Sequence, residues 1–579
     1  MKPILFLACL LCLAAPPLPA QQVPIVEKEL SNGMRLLMLP RKGEPTVAGG
    51  WVARVGSANE RPGITGIAHL FEHMMFKGTP TLGTKDYQKD LEIIREQERV
   101  RDLMRQEDSK MRAAFRRGEI DDVQKPENKT ERYKELEKQF NDLIKQQREI
   151  MVKNEFDRIY TAAGGTGMNA FTSMDMTAYF IIVPANRLEL WMWMESERIL
   201  RPVFREFYAE RDVVFEERRM RTESTPLGRF EEAVWAMFWE SHPYSWPTVG
   251  WPSDIPAISK KQADEFYAMY YAPQNLTLIL VGDFNPDEAL QQAEKYFSRI
   301  PRGREDAAEV TTLEIKQPGE KRFYGEAESN PQVDILWHTV PFGHKDSYAL
   351  RVLGQILSTR TGRLYKALVL GNEVATQVFA QQFNLKWDGC FNAGGEAKDG
   401  KTPEDVEQGI YAELEKLKTE LVPERELQKV KNNFAASEYR KLASNHSILM
   451  QIINNEGNGN WREINEGGAK IQAVTAEDIK RVVNTYFTKE ARTVAIYTRK
   501  PGKSMAEGDE FAGLNEEQKP VMRKIASQIK AETNLEKLKA ALEGIQSKAD
   551  GVDAKLKPFI GAQIKVLQNR IAELEKGAK

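Results

Sequence analysis

Residues 255–280, IPAISKKQADEFYAMYYAPQNLTLIL, recur in form at 471–496 as IQAVTAEDIKRVVNTYFTKEARTVAI, a shift of 216 positions without a gap. Ile255-Pro-Ala-Ile-Ser259 falls on Ile471-Gln-Ala-Val-Thr475, Tyr270-Tyr271 on Tyr486-Phe487, and Thr277-Leu-Ile-Leu280 on Thr493-Val-Ala-Ile496. In each copy a Ser or Thr is placed to cap a helix, an aromatic pair closes it, and a β-rich run follows. Two copies of one unit built from helix and strand predict an α+β chain of two homologous halves.

Working outward, Asn32-Gly33 flanked by the segments 25–30 and 34–39 predicts a tight hairpin. Residues 48–55 and 177–183 read as strands, 63–76 as a short helix, and 187–222 as long helical patterns. Met1-Lys2, the apolar run 4–15 and the breaker-rich 16–20, PPLPA, read as a secretory signal peptide cleaved after Ala20. That run is too short to span a bilayer, and no second run of about eighteen apolar residues follows. An exported mature chain without a transmembrane segment is expected, in the periplasm or outside the cell. Cleavage removes Cys9 and Cys12 and leaves Cys390, so no disulfide framework exists. Lys and Arg number 82 against 84 Asp and Glu, a net charge of −2, which excludes a bulk polycation for nucleic acid.

Two charge-dense helical runs, 85–117 and 131–158, flank a break that holds Gly118 and Pro126. Leu136, Phe140, Leu143 and Ile150 keep near-heptad spacing and can face Val100, Met104, Met111 and Phe115. An antiparallel helical hairpin is expected, each arm roughly 40–50 Å long at 1.5 Å per residue. In the tail, Ile560, Ile564, Leu567, Ile571 and Leu574 form a further apolar stripe. Both segments read as solvated helical spacers ahead of partner-binding devices. The resulting layout is a signal peptide at 1–20 and an N-terminal catalytic α+β domain at 21–302, its hairpin inserted at about 85–158. A linker at 303–319, a C-terminal α+β domain at 320–505 and a helical extension at 506–579 complete it.

The chemistry centres on His69-Leu-Phe-Glu-His73. On a helix His69 and His73 stand at i and i+4, so both imidazoles project from one face, with Glu72 on its flank. Two neutral imidazoles suit Zn2+, and a nearby carboxylate that is not a ligand can take a proton from metal-activated water. A catalytic zinc wants a third protein ligand. Glu210 and Glu217, at i and i+7 with Val213 and Val214 between, lie on one half-apolar helical face, whereas Glu216 points elsewhere. Glu217 is assigned as the ligand and Glu210 as the acceptor that orients a ligand histidine; spacing alone leaves that assignment open. His338, His344 and His446 read as ordinary core or surface residues, and Cys390 as a small buried one.

His69-x-x-Glu-His73 is the inverted zincin order. With Gly66-x-x-His69-x-x-Glu-His73-x-x-Phe-Lys-Gly-Thr79, the stretch resembles the insulinase/pitrilysin family, particularly its mitochondrial-processing-peptidase-like bacterial branch. Gly167-Met-Asn-Ala-Phe-Thr172 with Thr177-Ala-Tyr179, the pair Glu210 and Glu217, and His242-Pro-Tyr244 with Gly250 are similar too. The resemblance implies two α+β halves facing as a clamshell around a peptide or unfolded protein segment. His69, His73 and Glu217 would hold Zn2+, Glu72 would move the proton, and Asn169 and Ala170 would offer backbone to an extended substrate. Two features depart from it. The stretch from His73 to Glu217 is longer than usual by about one hairpin. In the second half, Val369 and Thr376 stand where the family carries an Arg and a Tyr that hold substrate, with Arg360 and Arg363 out of register. The favoured expectation is an exported zinc endopeptidase. The alternative is a subunit of an envelope heterodimer whose related partner carries that pair; a homodimer is also open.

Overall fold

The computed structural model describes residues 22–123, 125–500, 514, 518–532, 534–549 and 556–577; the expected leader, 1–20, lies outside them. The chain divides into two compact units, Met1–Thr498 and Arg499–Lys579.

The first unit begins with β1 (Val26–Glu29), β2 (Arg35–Pro40), β3 (Thr46–Ala53), α1 (Ile67–Met74), α2 (Tyr87–Arg116), α3 (Glu131–Ile150) and α4 (Glu155–Ala162). Then come β4 (Thr166–Thr172), β5 (Thr177–Pro184), α5 (Leu188–Leu200), α6 (Phe207–Arg218), α7 (Gly228–Phe238), α8 (Lys260–Tyr270), β6 (Leu276–Gly282) and α9 (Pro286–Phe297). After residues 301–320, which carry no helix or strand, follow β7 (Lys321–Ala327), β8 (Gln332–His338), α10 (Lys345–Ser358), β9 (Ala375–Asn384) and β10 (Gly389–Ala397). The last elements of the unit are α11 (Pro403–Thr419), α12 (Glu424–Lys441), α13 (Asn445–Gly457), α14 (Glu463–Ala473), α15 (Ala476–Tyr486) and β11 (Arg492–Arg499).

The repeat is exact in register. α8 and α15 begin and end 216 residues apart, each capped by a reciprocal pair, Ser259 with Gln262 and Thr475 with Asp478. The sheets share one strand order: β2-β6-β3-β5-β4, with β1 added at the edge, and β7-β11-β8-β10-β9. The Asn32-Gly33 hairpin is present, with Gly33 at φ +87° and Gly33 N–H donating to Leu30 O.

The central strands β3 and β6 are buried on both faces and read as near-continuous apolar runs, whereas the edge strands β4 and β9 are partly exposed. Leu36 and Met38 turn into a core with α1, α5 and α8, whereas Leu37 and Leu39 turn to the opposite face. A helix from the other half covers that face. Ile448, Leu449, Ile452 and Ile453 of α13 pack on the first sheet, and Val234 and Phe238 of α7 pack with Leu336, Cys390, Ala495 and Tyr497 of the second half. The exchange is locked by polar bonds. Glu456 of α13 accepts from Arg35 Nη1 at 2.7 Å and Thr277 Oγ1 at 2.9 Å. His242 shapes the turn before Tyr244, whose hydroxyl donates to Asp175 at 2.8 Å and accepts from Trp387 N–H at 3.1 Å.

The inserted hairpin forms with unequal arms. α2 has 30 residues and α3 has 20, about 45 and 30 Å. Val100, Met104 and Met111 are buried with Leu136, Phe140 and Leu143. Phe115, expected in that seam, is half exposed: Thr130 at the start of α3 bonds Glu107, so α2 outruns its partner before reaching Phe115. The helical run expected over 187–222 breaks at 201–206, around Pro202, between α5 and α6. At the hairpin base Gln97 donates to Gln147, Gln147 to Asp90, and Arg205 to Asp90 and to the carbonyls of Lys77, Thr79 and Leu82.

The second unit holds α16 (Gln518–Ala531), α17 (Leu535–Ala549) and α18 (Lys557–Gly577) around a core of its own. Leu567 and Ile571 of the expected stripe are buried in it, and Leu574 packs against it. The unit is therefore a packed helical body.

Because each half depends on the other's helix, Leu449→Ala is expected to lower stability by about 3 kcal/mol through the cavity it leaves. Residues 22–498 should still unfold in one transition in denaturant; separate transitions for the two halves would contradict the interlock.

Candidate metal centre

α1 is built to present one polar edge. Ile67, Ala68, Leu70, Phe71 and Met74 are buried in the core. Gly66 starts the helix at φ +91°, and a Cβ there would stand 2.6 Å from Val249 O, so glycine is required. The first turn is capped from a distance: the buried Glu60 carboxylate accepts from Gly66 N at 2.9 Å and Ala68 N at 2.8 Å. Burial pushes Glu60 well above the usual carboxylate range, with the two N–H bonds pulling the other way. Asp254 braces the preceding turn, accepting from Gly63 N at 2.9 Å and Thr65 Oγ1 at 2.7 Å.

From this helix His69 and His73 meet α6. Their rings lie 5.0 Å apart, nearly perpendicular. Glu217 Oε2 is 3.6 Å from His69 Nε2 and 3.4 Å from His73 Nε2. Ligand atoms of the three residues all fall within 4.8 Å of one another. The second Glu217 oxygen pairs with Arg221 Nη2 at 2.5 Å. Glu210 Oε1 lies 2.8 Å from His73 Nδ1, and its Oε2 is 2.5 Å from Lys77 Nζ. Glu216 is exposed and pairs with Arg219. Val213 corrects the expectation of an inward face between the glutamates: it is half exposed, while Val214 is fully buried. At 100° per residue the buried side of α6 runs through Phe207, Arg211, Val214 and Arg218; Glu210 and Glu217 sit on its edge and Val213 beyond it.

The electrostatics separate the two histidines. Burial, with the charges of His73 and Arg221, lowers His69 to about 3, so it is neutral. Burial would also lower His73, but the bond to Glu210 and the carboxylates of Glu210, Glu217 and Glu72 outweigh it and carry His73 above its ordinary value. Burial would raise Glu210, yet His73 and the Lys77 ammonium hold it at about 2. Glu72 is raised by burial, partly offset by the Thr172 hydroxyl, which donates to it at 2.7 Å.

Two imidazole nitrogens and a carboxylate oxygen therefore point at one another. Separations of 3.4–3.6 Å are long for hydrogen bonds. They match the spacing of about 3.3 Å between ligands of a tetrahedral zinc with bonds of about 2.0 Å. The donor set fits a zinc ion.

Asn169 and Ala170 lie on β4, the edge strand, with Asn169 Oδ1 accepting from Ala170 N–H at 2.9 Å. They line a pocket of about 600 Å3 together with Glu72, His73 and Phe76. Glu60, Asp254, Thr172 and Arg221 went unread in the sequence; only Arg221, one turn after Glu217, carried a spacing signal. In the second half Arg363 is bound bidentately to Glu426 at 2.9–3.0 Å, and Thr376 donates to Glu396 at 2.9 Å.

Comparison with known proteins places these features among relatives. The profile described as Insulinase (Peptidase family M16) matches residues 37–99, and that described as Peptidase M16 inactive domain matches 257–434. The chain is 26% identical over 479 residues to the zinc protease PqqE of Helicobacter pylori, covering 81% of this chain and 91% of that protein. It is 21% identical to the uncharacterized zinc protease YmxG of Bacillus subtilis, covering 79% and 95%. Among solved structures, a protease from Helicobacter pylori superposes with a TM-score of 0.67 at 24% identity, over 82% of this chain and all of that one. The periplasmic protease PqqL of Escherichia coli gives 0.61 at 17%, over 83% of this chain and 48% of that one.

Glu60→Ala leaves two buried N–H groups without an acceptor and is expected to cost about 1–3 kcal/mol of unfolding free energy. Glu60→Gln, which keeps an acceptor, should cost less; equal losses in denaturant titrations would refute the capping role.

Proposed function

Because the chain belongs to the insulinase family of peptidases, family M16, we propose that it is an exported zinc-dependent endopeptidase acting on peptides or unfolded segments. The observation that carries this reading is the meeting of His69, His73 and Glu217 with Glu72 alongside. His69, His73 and Glu217 would hold the ion. Zinc bound there supplies a Lewis acid that polarises the scissile carbonyl and eases deprotonation of water.

The remaining work belongs to the chain's own groups. Glu210 accepts from His73 Nδ1–H, which fixes the tautomer whose Nε2 lone pair faces Glu217. Glu72, raised by burial, accepts the proton of the attacking water and delivers it to the leaving amine. Thr172 holds the Glu72 carboxylate in place. The edge strand at Asn169 and Ala170 offers backbone groups to an extended peptide by strand addition. Export rests on the N-terminal sequence pattern, and among the described residues no helix is long and apolar enough to cross a membrane.

A second reading draws on the second half. Val369 and Thr376 stand where a substrate-holding Arg and Tyr are expected, and the nearby Arg363 is committed to Glu426. In that reading the chain is one subunit of an envelope heterodimer whose related partner completes the substrate site. Full activity of the purified chain alone would defeat it.

Glu72→Gln is expected to abolish cleavage while zinc stays near one per chain by elemental analysis; lost metal or surviving activity contradicts the assigned role. Glu210→Gln should weaken zinc binding by about 10–100-fold in competition with a chelator, and an unchanged affinity would remove Glu210 from the site.

A further inference from the structure

The end of α6 is fastened to the start of α1, so the backbone beneath Glu217 is fixed and its side chain is what remains free to turn. Arg218 is buried and donates to Glu232 Oε1 at 2.6 Å and to the carbonyl of Gly250 at 2.9 Å. Gly250 is packed against Gly66, where α1 begins. Beyond Arg218 the chain makes one wide turn, Arg219–Glu223, closed by Ser224 N–H donating to Arg219 O at 2.9 Å. Wide turns of this kind are rare and concentrate at functional sites. The turn is itself anchored: Thr222 is buried, and Thr225 Oγ1 donates to Arg221 O at 2.9 Å.

Glu217 divides its two oxygens between two sets of partners. Oε2 faces the imidazoles, 3.6 Å from His69 Nε2 and 3.4 Å from His73 Nε2, while Oε1 lies 2.5 Å from Arg221 Nη2. The Arg221 side chain is 66% exposed, and Glu217 is its one ion-pair partner among the described residues. An exposed pair of this kind contributes little to folding, so its effect falls on the carboxylate. The charge of Arg221 also reaches His69 and Glu72. Carboxylates bind cations with one oxygen or with both. For Oε1 to join Oε2 on an ion between the imidazoles, the Glu217 carboxylate would have to turn and give up Arg221.

We propose that Arg221 is a positioning residue that holds Glu217 to one-oxygen coordination, keeping the rest of the coordination sphere for water and the peptide carbonyl. The inference rests on the zinc reading above and deepens it by naming the residue that sets how the third ligand binds. Three protein donors and an open position are what a hydrolytic zinc requires, and a second oxygen from Glu217 would occupy that space. Arg221 thus acts through Glu217, as Glu210 acts through His73.

The test uses the mature full-length chain loaded with one equivalent of zinc, as wild type, Arg221→Met and Arg221→Lys. Zinc-edge X-ray absorption and crystals of each count the oxygens that Glu217 supplies. The wild type should supply one, with the other still paired to Arg221. Arg221→Met should bring both oxygens within about 2.6 Å of the metal. Arg221→Lys, which retains a cation at i+4 from Glu217, should keep the wild-type mode. In competition with a chelator Arg221→Met should bind zinc about tenfold more tightly, because a positive charge no longer stands beside the ligand carboxylate. Because Arg221 is exposed, unfolding curves of the variants should match the wild type. One-oxygen coordination in Arg221→Met, loss of Glu217 from its metal, or both oxygens bound in the wild type would overturn the inference and leave the zinc site standing. Zinc bound away from His69, His73 and Glu217 in the wild type overturns the site and the inference together.

Discussion

Three candidate ligand atoms lie within 4.8 Å of one another, with His73 Nδ1 held by Glu210, and this convergence is the constraint on which the proposed site depends. Much of the first half serves to maintain that arrangement. Glu60 and Asp254 fix the start of α1, Gly66 allows its close approach to residues 249–250, and Arg205 ties down the loop that leaves it. Arg221 offsets part of the charge of Glu217 from the next turn. The burial that keeps His69 neutral also leaves its ring available as a ligand.

The second half stabilises this frame from behind the sheet. α13 lays four apolar side chains on the face of the first sheet opposite α1, and Glu456 satisfies Arg35 and Thr277 there. α7 returns the favour by symmetry, covering the second sheet. The edge strand β4, which carries Asn169, Ala170 and Thr172, is thereby backed by a sheet that cannot bend without disturbing both cores. The hairpin enters the same frame through the polar ladder Gln97, Gln147, Asp90 and Arg205, so a long insertion changes the length between His73 and Glu217 without displacing them.

Local regularity decided what could be read in advance. The gapless repeat exposed the duplicated halves because caps, aromatic pairs and strands recur at one offset. The i, i+4 histidines were legible because helical periodicity alone projects them to one side, whereas the i, i+7 glutamates needed the family resemblance as well. Where contacts cross the chain, the sequence offered no period to follow. Glu60 caps a helix from outside its capping box, Thr172 reaches Glu72 from a strand a hundred residues away, and the exchange of α7 and α13 rests on faces that would serve equally well against their own sheets. Val213 and Phe115 were misjudged for a related reason: a face was drawn from spacing, but its centre is set by where the partner element lies and ends.

Anomalous diffraction at the zinc edge, from crystals of the mature chain grown with equimolar zinc, tests the account most directly. A single site is expected, about 2.0–2.2 Å from Nε2 of His69, Nε2 of His73 and one oxygen of Glu217. A zinc bound elsewhere, or one held by the two histidines with Glu217 turned away and nothing in its place, would contradict it.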